Sequence, residues 1–407
     1  MSLNFGIDLT EQWAMISYYS DTMDEPETVS VVNGSENYQI PTFLAKKRNL
    51  GQWYYGDEAK RLAKSGDVIC IEALLQRAIN QEEIIIEDES YSAEKLLCMF
   101  LKKLISLAQK LRGSCEIGMV VLTVPELNKG NMNLFHTISE KLGLRKNQLK
   151  IVDHKEAFYF YALNQQADLW LHDVFLFEAN GDQLTYYGLK RDLHTVPQLI
   201  VLDENRRIVL NGDKDAAFAE TIIKAFENRI VSTAYLTGDG FDDNWMHESL
   251  NLLCRGRRAF MGKNLYVKGA AYAASVFEQK KEWPFVYIGE NDMKFNLSMR
   301  LYHMDKLERY DLITAGTSCF EAKGACEIIL GDEREIAFWK QLPDSRDAIL
   351  ESLELTDLPE RPPRTTRLKI SATPISDTKI EIEIVDLGFG ELFRSSGKVW
   401  KYTMGLS

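Results

Sequence analysis

An apolar strand that ends in a carboxylate occurs twice in this chain, and each time it opens the same run of elements. Leu3 to Leu9, with Asp8 near its end, and Ala14 to Tyr19 read as two strands joined by a tight turn, with Val29 to Val32 as a third. Ile40-Pro41-Thr42-Phe43-Leu44 is extended, as a residue before proline prefers, and Gly56-Asp57-Glu58-Ala59 opens a helix. Ser92 to Leu111 carries Leu96, Leu97, Phe100, Leu101, Leu104, Ile105 and Ala108 at helical spacing, with Ser92 as its cap and Gly113 as its stop. Met119 to Pro125 is a continuous apolar run, the signature of a strand buried on both faces. The order then restarts. Val174 to Glu178 is an apolar strand ending in a carboxylate, followed by strands at Leu184–Leu189 and Gln198–Asp203, a helix at Ala216–Arg229 and a strand at Ala234–Gly238. Two such halves imply an internal duplication, with an α/β chain lacking duplication as the alternative.

From about Trp283 the helical signal fades. Leu368, Ile370 and Ala372 alternate with polar residues, as do Ile380, Ile382 and Ile384, and a period of two predicts short strands of a β-sandwich. Leu358-Pro359-Glu360-Arg361-Pro362-Pro363 is a stiff connector within it.

A chain of 407 residues exceeds one core, so two or three domains are expected. The net charge of −12 disfavours nucleic acid and anionic membranes, which need a basic footprint. The six cysteines form no CxxC pair and no zinc spacing with histidine, which predicts buried reduced thiols. The N-terminus runs straight into a strand, and no apolar run approaches the roughly 20 residues of a membrane span. A cytoplasmic protein is expected.

The stretch Phe5-Gly6-Ile7-Asp8-Leu9-Thr10-Glu11-Gln12 has the outline of a phosphate-binding hairpin. Ile40-Pro41-Thr42, Gly56-Asp57-Glu58-Ala59 and Leu122-Thr123-Val124-Pro125 follow it in order. Phe177 to Asp182 stands where a second phosphate loop would lie, Leu236-Thr237-Gly238-Asp239-Gly240 where an adenosine loop would lie, and Lys268-Gly269-Ala270-Ala271 where a small-residue helix would close the domain. In this order the motifs resemble the ATPase domain shared by actin, sugar kinases and DnaK-type heat-shock chaperones. Gly331-Asp332-Glu333-Arg334-Glu335, Leu353 to Pro359, Pro363-Arg364 and Asp386-Leu387-Gly388 resemble segments of the chaperones in particular. The resemblance covers nearly the whole chain. It implies a duplicated actin-like (ribonuclease H-like) ATPase fold with a reduced second half, followed by a C-terminal β-sandwich. The implied domains are residues 1–165, 166–281 and 282–407.

The residues that should touch phosphate depart from that pattern. Thr10 replaces a glycine whose missing side chain would let backbone amides approach phosphate, and Glu11 brings negative charge. The second loop offers Asn180, Gly181, Asp182 and Gln183 in place of glycines and a threonine. A misplaced unit charge 4 Å from phosphate costs about 4 kcal/mol at an effective dielectric near 20. His154 stands where the family carries its water-positioning glutamate; a structural or surface histidine is the plain reading, and a replacement acid–base group the sharper one. The run from Glu178 to Gly238 is short, which removes the subdomain that would cover adenine. Compared with the chaperones, the chain is also expected to lack one wall of the peptide cleft and the helical lid.

The resemblance therefore implies candidate cleft residues Asp8, Thr10, Glu178, Asn180, Gly181, Gly238 and Gly240, with Asp8 orienting Mg²⁺ through water if nucleotide binds. No residue is assigned a catalytic role. The expected function is that of a catalytically degenerate chaperone-like protein, a protein-binding or scaffold module. No cofactor is expected, and the partner is an unidentified protein rather than nucleic acid or membrane. The alternatives are a divergent Mg-ATP-binding chaperone or ATPase, and a binder of another small ligand in the old cleft. Other features have plain readings: the acidic run from Glu82 to Glu89 as a solvated edge, Lys46-Lys47-Arg48 as a turn, Arg255, Arg257 and Arg258 as a helix face pairing with acids, and Trp339 and Trp400 as core.

Overall fold

A computed structural model describes residues 2–31, 34–112, 115–279 and 282–406. The chain is mixed α/β with several sheets and divides into two compact units. One comprises Met1–Lys190 and Asp203–Trp283, the other Arg191–Leu202 and Pro284–Ser407.

The first unit holds two large sheets. One has the spatial order Leu149–Asp153, Glu116–Val124, Ser2–Leu9, Trp13–Tyr19, Glu27–Thr28. Ser2–Leu9 is parallel to Glu116–Val124, which is parallel to Leu149–Asp153, and antiparallel to Trp13–Tyr19. Ser2–Leu9 is central and buried along nearly its whole length. Its Asn4 and Gly6 meet the helix Leu265–Phe277: Asn4 donates to Ser275 Oγ at 3.3 Å, and a Cβ on Gly6 would lie 2.3 Å from the Val267 carbonyl oxygen. The other sheet has the order Arg258–Met261, Val231–Thr237, Asp173–Asn180, Gln183–Asp192, then Gln198–Val209. Asp173–Asn180 is parallel to Val231–Thr237, which is parallel to Arg258–Met261, and antiparallel to Gln183–Asp192.

Helices follow their local signals. Ser92 Oγ accepts from the Lys95 amide at the start of Ala93–Arg112. Asn128 and Asn131 cap Lys129–Leu142 reciprocally. Asp153 caps His154–Leu163 by accepting from the Glu156 amide at 2.8 Å. That helix presents Phe158 and Tyr161 to Tyr187 and Tyr235 of the second sheet. It also crosses Leu265–Phe277 so closely that a Cβ on Gly269 would lie 1.9 Å from the Ala157 carbonyl oxygen.

Most strands of the second unit are antiparallel and form two four-stranded sheets. One four-stranded sheet runs Lys306–Ile313, Asn296–His303, Glu335–Gln341, Ala348–Glu354; the other runs Gly324–Ile329, Arg367–Ser376, Lys379–Gly388, Val399–Gly405. The alternating residues Leu297 and Met299, Ile336 and Phe338, Leu368 and Ile370, and Ile380, Ile382 and Ile384 form one core with Trp400. Gln198–Val201 pairs in parallel with Phe285–Ile288. This pairing groups Arg191–Leu202 with residues far along the chain.

Some sequence expectations shift. The third strand is Glu27–Thr28 rather than Val29–Val32, because the Val31 amide turns to the Asn37 carbonyl; Val32 and the stop at Gly113 lie outside the described residues. Lys46 is not a turn residue. It is 6 % exposed in the strand Leu44–Lys47 and is held by Glu87, Glu89 and the Tyr91 hydroxyl. The acidic run is partly committed to this ion pair, on a hairpin whose Ile84 and Ile86 are buried while Ile85 faces solvent. Arg258 pairs with Asp168 at 2.9 Å, whereas Arg257 lies over the Phe226 ring. Trp400 is in the core, but Trp339 is half-buried beneath the Arg300 guanidinium. Among the described residues no helix is long and apolar enough to cross a membrane.

Candidate functional site

Asp8 sits one residue from the end of its strand, opposite Thr123 of the parallel neighbour. Glu178 occupies a matching position on the second sheet, opposite Thr237. Each carboxylate meets an aromatic ring at the start of a long helix. His154, the first residue of His154–Leu163, places Nε2 2.8 Å from Asp8 Oδ1. Tyr266, the second residue of Leu265–Phe277, donates its hydroxyl to Glu178 Oε2 at 2.8 Å. The two rings stack on each other, with centroids 3.9 Å apart and planes 14° from parallel.

This cluster is enclosed. Asp8 is 1 % exposed, Tyr266 4 % and His154 7 %. Burial alone would push the His154 imidazole to lose its proton, and it is the largest single influence. The charges of Asp8, Glu178 and Asp153 together outweigh it and raise the ring's pKa. His154 is therefore a buried, charge-compensated group and not a surface histidine. Burial, then the Glu178 charge, lifts the Tyr266 and Tyr187 phenols well above their usual range. Among the described residues, Asp8 Oδ2 and Thr123 Oγ1 are buried without a hydrogen-bond partner.

The remaining candidate residues serve their own loops. The Thr10 amide donates to the Trp13 carbonyl, and Thr10 Oγ1 both donates to that carbonyl and accepts from the Trp13 amide, closing the first hairpin. Glu11 turns to the helix Leu74–Ile79, where it accepts from the Gln76 amide at 3.0 Å; burial raises its pKa and that hydrogen bond opposes the rise. Asn180-Gly181-Asp182-Gln183 forms a two-residue hairpin turn with Gly181 at φ +59. Asn180 donates to Glu178 Oε1, the Gly181 amide donates to Asp239 Oδ1, and Asp182 pairs with Lys214 at 2.5 Å. Gly238 and Gly240 are packed against this hairpin: a Cβ would lie 2.1 Å from the Ala179 carbonyl oxygen in the first case and 2.5 Å from that of Gly181 in the second. These glycines are required by backbone-to-backbone contact.

The structure thus joins Glu178 with Asn180 and Gly181 with Gly240, and packs Gly238 against Ala179 of the same hairpin. It ties Asp8 to His154 and leaves Thr10 in its own turn. Sequence reasoning did not single out Tyr266, Tyr187 or Asp239. Tyr266 had one available signal: it precedes Gly269 by three residues, as His154 precedes Ala157. Among the described residues, no group of three or more histidine, cysteine, aspartate or glutamate side chains is arranged to hold a metal ion.

A model described as a domain of unknown function, DUF8552, matches residues 292–406. That span begins close to the division between the two compact units. No curated protein matches the chain. The larger match, to the C-terminal model of a family of unknown function over residues 25–290, takes in most of the first unit with His154, Glu178 and Tyr266, and by it the chain belongs to the DUF5716 family.

Proposed function

We propose that this protein is a degenerate relative of the actin, sugar kinase and DnaK-type chaperone ATPases, retained as a protein-binding or scaffold module that does not turn over ATP. Three features support the ancestry. Once the two-residue strand Ile40–Pro41 beside Trp13–Tyr19 is set aside, five strands of each large sheet run in the order fifth, fourth, first, second, third, with matching parallel and antiparallel pairs. Asp8 and Glu178 stand opposite Thr123 and Thr237 at equivalent places. The helices after the two fifth strands cross at Ala157 and Gly269.

The observation that carries the loss of ATP chemistry is the engagement of both central carboxylates. Asp8 is held by His154 and Glu178 by Tyr266. Withdrawing either partner leaves a buried carboxylate without its hydrogen bond, which costs about 1–3 kcal/mol, or up to roughly two decades of affinity, before any contact with nucleotide is made. The Thr10 and Gly181 amides are also spent inside the protein. These residues do not fit Mg-nucleotide. The misplaced charges expected at Glu11 and Asp182 contribute less, because both side chains are engaged elsewhere. Exposed apolar side chains on the second unit, Tyr302 at 79 % and Met304 at 85 %, support the protein-binding reading.

A bound ligand at a hundred times its Kd stabilises by about 2.7 kcal/mol. Millimolar Mg-ATP is expected to leave the melting temperature of the protein unchanged. A rise of several degrees would favour the second reading, a divergent Mg-ATP-binding protein, whose one supporting observation is the unpaired Asp8 Oδ2.

A further inference from the structure

We infer that the edge strand Ala348–Glu354 of the second unit is a self-association surface, along which a second copy of this chain pairs antiparallel and joins the two sheets into one. The inference goes beyond the proposed function and does not depend on whether nucleotide binds.

Ala348–Glu354 is the outermost strand of its sheet and pairs with Glu335–Gln341 in unbroken register along its whole length. Among the described residues, no hydrogen bond from elsewhere in the chain reaches the backbone of Ala348–Leu353; the Glu354 carbonyl accepts one, from the Tyr402 hydroxyl. Alternate amides and carbonyls of the strand therefore point away from the sheet, a template for a further strand. Sheet edges are ordinarily guarded by charge, proline or a bulge. The opposite edge of the same sheet follows that rule, with Lys306, Glu308, Arg309 and Asp311 along it. Ala348–Glu354 does not. Ile349 is 56 % and Leu350 51 % exposed, and the charge in mid-strand, Glu351, is already paired with Lys340 of the neighbouring strand at 2.8 Å.

The charges that flank this apolar stretch make a second copy its complement. Arg346 stands two residues before the strand and Glu354 ends it. Both are exposed, and among the described residues neither side chain is held by an ion pair or a hydrogen bond. A twofold axis through Leu350 brings Glu354 of each copy to the end of the other strand where Arg346 stands, so the ion pair forms twice. Leu350 then meets its own counterpart beside Trp339, the residue opposite it in the sheet. The neighbouring registers that keep the same faces together are opposed by charge. An axis through Ile349 sets Asp347 against Glu351, and an axis through Glu351 sets that carboxylate against itself.

Sedimentation of the full chain over about 1 to 100 µM tests this. The wild type is expected to approach twice its 46.6 kDa mass as the concentration rises. Arg346→Glu sets two glutamates at each end of the pairing and is expected to raise the dissociation constant about tenfold or more. Adding Glu354→Arg restores opposite charges with their places exchanged, and association is expected to return to within about threefold of the wild type. Leu350→Lys brings two ammonium groups together on the axis and is expected to leave monomer. All three positions are exposed, so the fold does not depend on them. A wild type that stays monomeric at about 100 µM, a dimer indifferent to Leu350→Lys, or an exchanged pair that does not recover association overturns the inference. Mg-ATP takes no part in the measurement, so failure here is separate from failure of the nucleotide reading.

Discussion

Replacing Asp386 with alanine is expected to lower the unfolding midpoint of the second unit by roughly 10–20 °C, the consequence of about 3–5 kcal/mol lost when one member of a buried ion pair is removed. Asp386 is fully buried at the end of Lys379–Gly388. Both of its oxygens accept from Arg361 at 2.8 Å, and it also accepts from the Gly388 amide, the Ser396 amide and the Ser396 hydroxyl. Arg361 donates besides to the Arg394 carbonyl. This one carboxylate ties the proline-rich connector and the loop from Gly388 to Lys398 to the same strand end. Alanine leaves a buried guanidinium without a counter-charge and two amides without an acceptor. Replacing Arg361 and Asp386 together by leucine is expected to recover only part of the loss, because those amides remain unmet.

The same pair has a pH signature. Burial alone would raise the Asp386 pKa, but Arg361 and the Ser396 and Gly388 donors hold it well below the ordinary carboxylate range. A carboxyl depressed on folding contributes its full stability above its unfolded value of about 3.9 and loses it as pH falls through the folded value. The difference between wild type and Asp386→Ala should be constant from pH 5 to 8 and narrow steadily below about pH 4. Thermal melts of both proteins across that range check it, and a difference that widens in acid would refute the assignment.

Gly269→Ala is expected to destabilise the first unit by about 3 kcal/mol, although alanine is favoured over glycine in a helix by about 1 kcal/mol. The added Cβ would lie 1.9 Å from the Ala157 carbonyl oxygen and 2.7 Å from its carbon. These are backbone atoms, so no rotamer change relieves the clash. The helix cannot retreat freely either, since on its other side Val267 and Ala271 press on Gly6. The helices must separate by more than an ångström, and the ring stack one turn away goes with them. Gly51→Ala is the control: nothing lies within 4 Å of its Cβ position, and a change within about 0.5 kcal/mol is expected. Urea unfolding of both variants gives the comparison, and equal midpoints would show that the crossing tolerates a methyl group.

Much of this architecture was legible because it rests on local rules. The central strands could be read from unbroken apolar runs, the long helix from its 3.6 period and Ser92, and the C-terminal strands from the alternation at Ile380, Ile382 and Ile384. Asp8 and Glu178 could be picked out because a carboxylate ending a buried strand is unusual. What surrounds them was not legible. His154 stands 146 residues from Asp8 and Tyr266 stands 88 from Glu178. Nothing in the neighbourhood of either aromatic residue announces the carboxylate it will meet. Gly238 and Gly240 matched a loop that approaches a ligand, yet the close approach they permit is to the Ala179–Gly181 hairpin. Glycine at a crowded backbone reads the same whether the neighbour is a phosphate or another peptide.

The sequence by itself determined the central strands, the helix after Ser92, the apolar faces of the C-terminal strands, and which two acids end the central strands of the first unit. Periodicity, capping and turn chemistry act within a few residues, so they survive in a linear reading. The tertiary structure alone decided that Lys46 is buried between two glutamates, that Arg361 is matched to Asp386, and that Asp8 and Glu178 face a stacked His154–Tyr266 pair. Those outcomes depend on which distant groups share one low-dielectric space, where an unpaired charge is costly and each partner must come from another part of the chain.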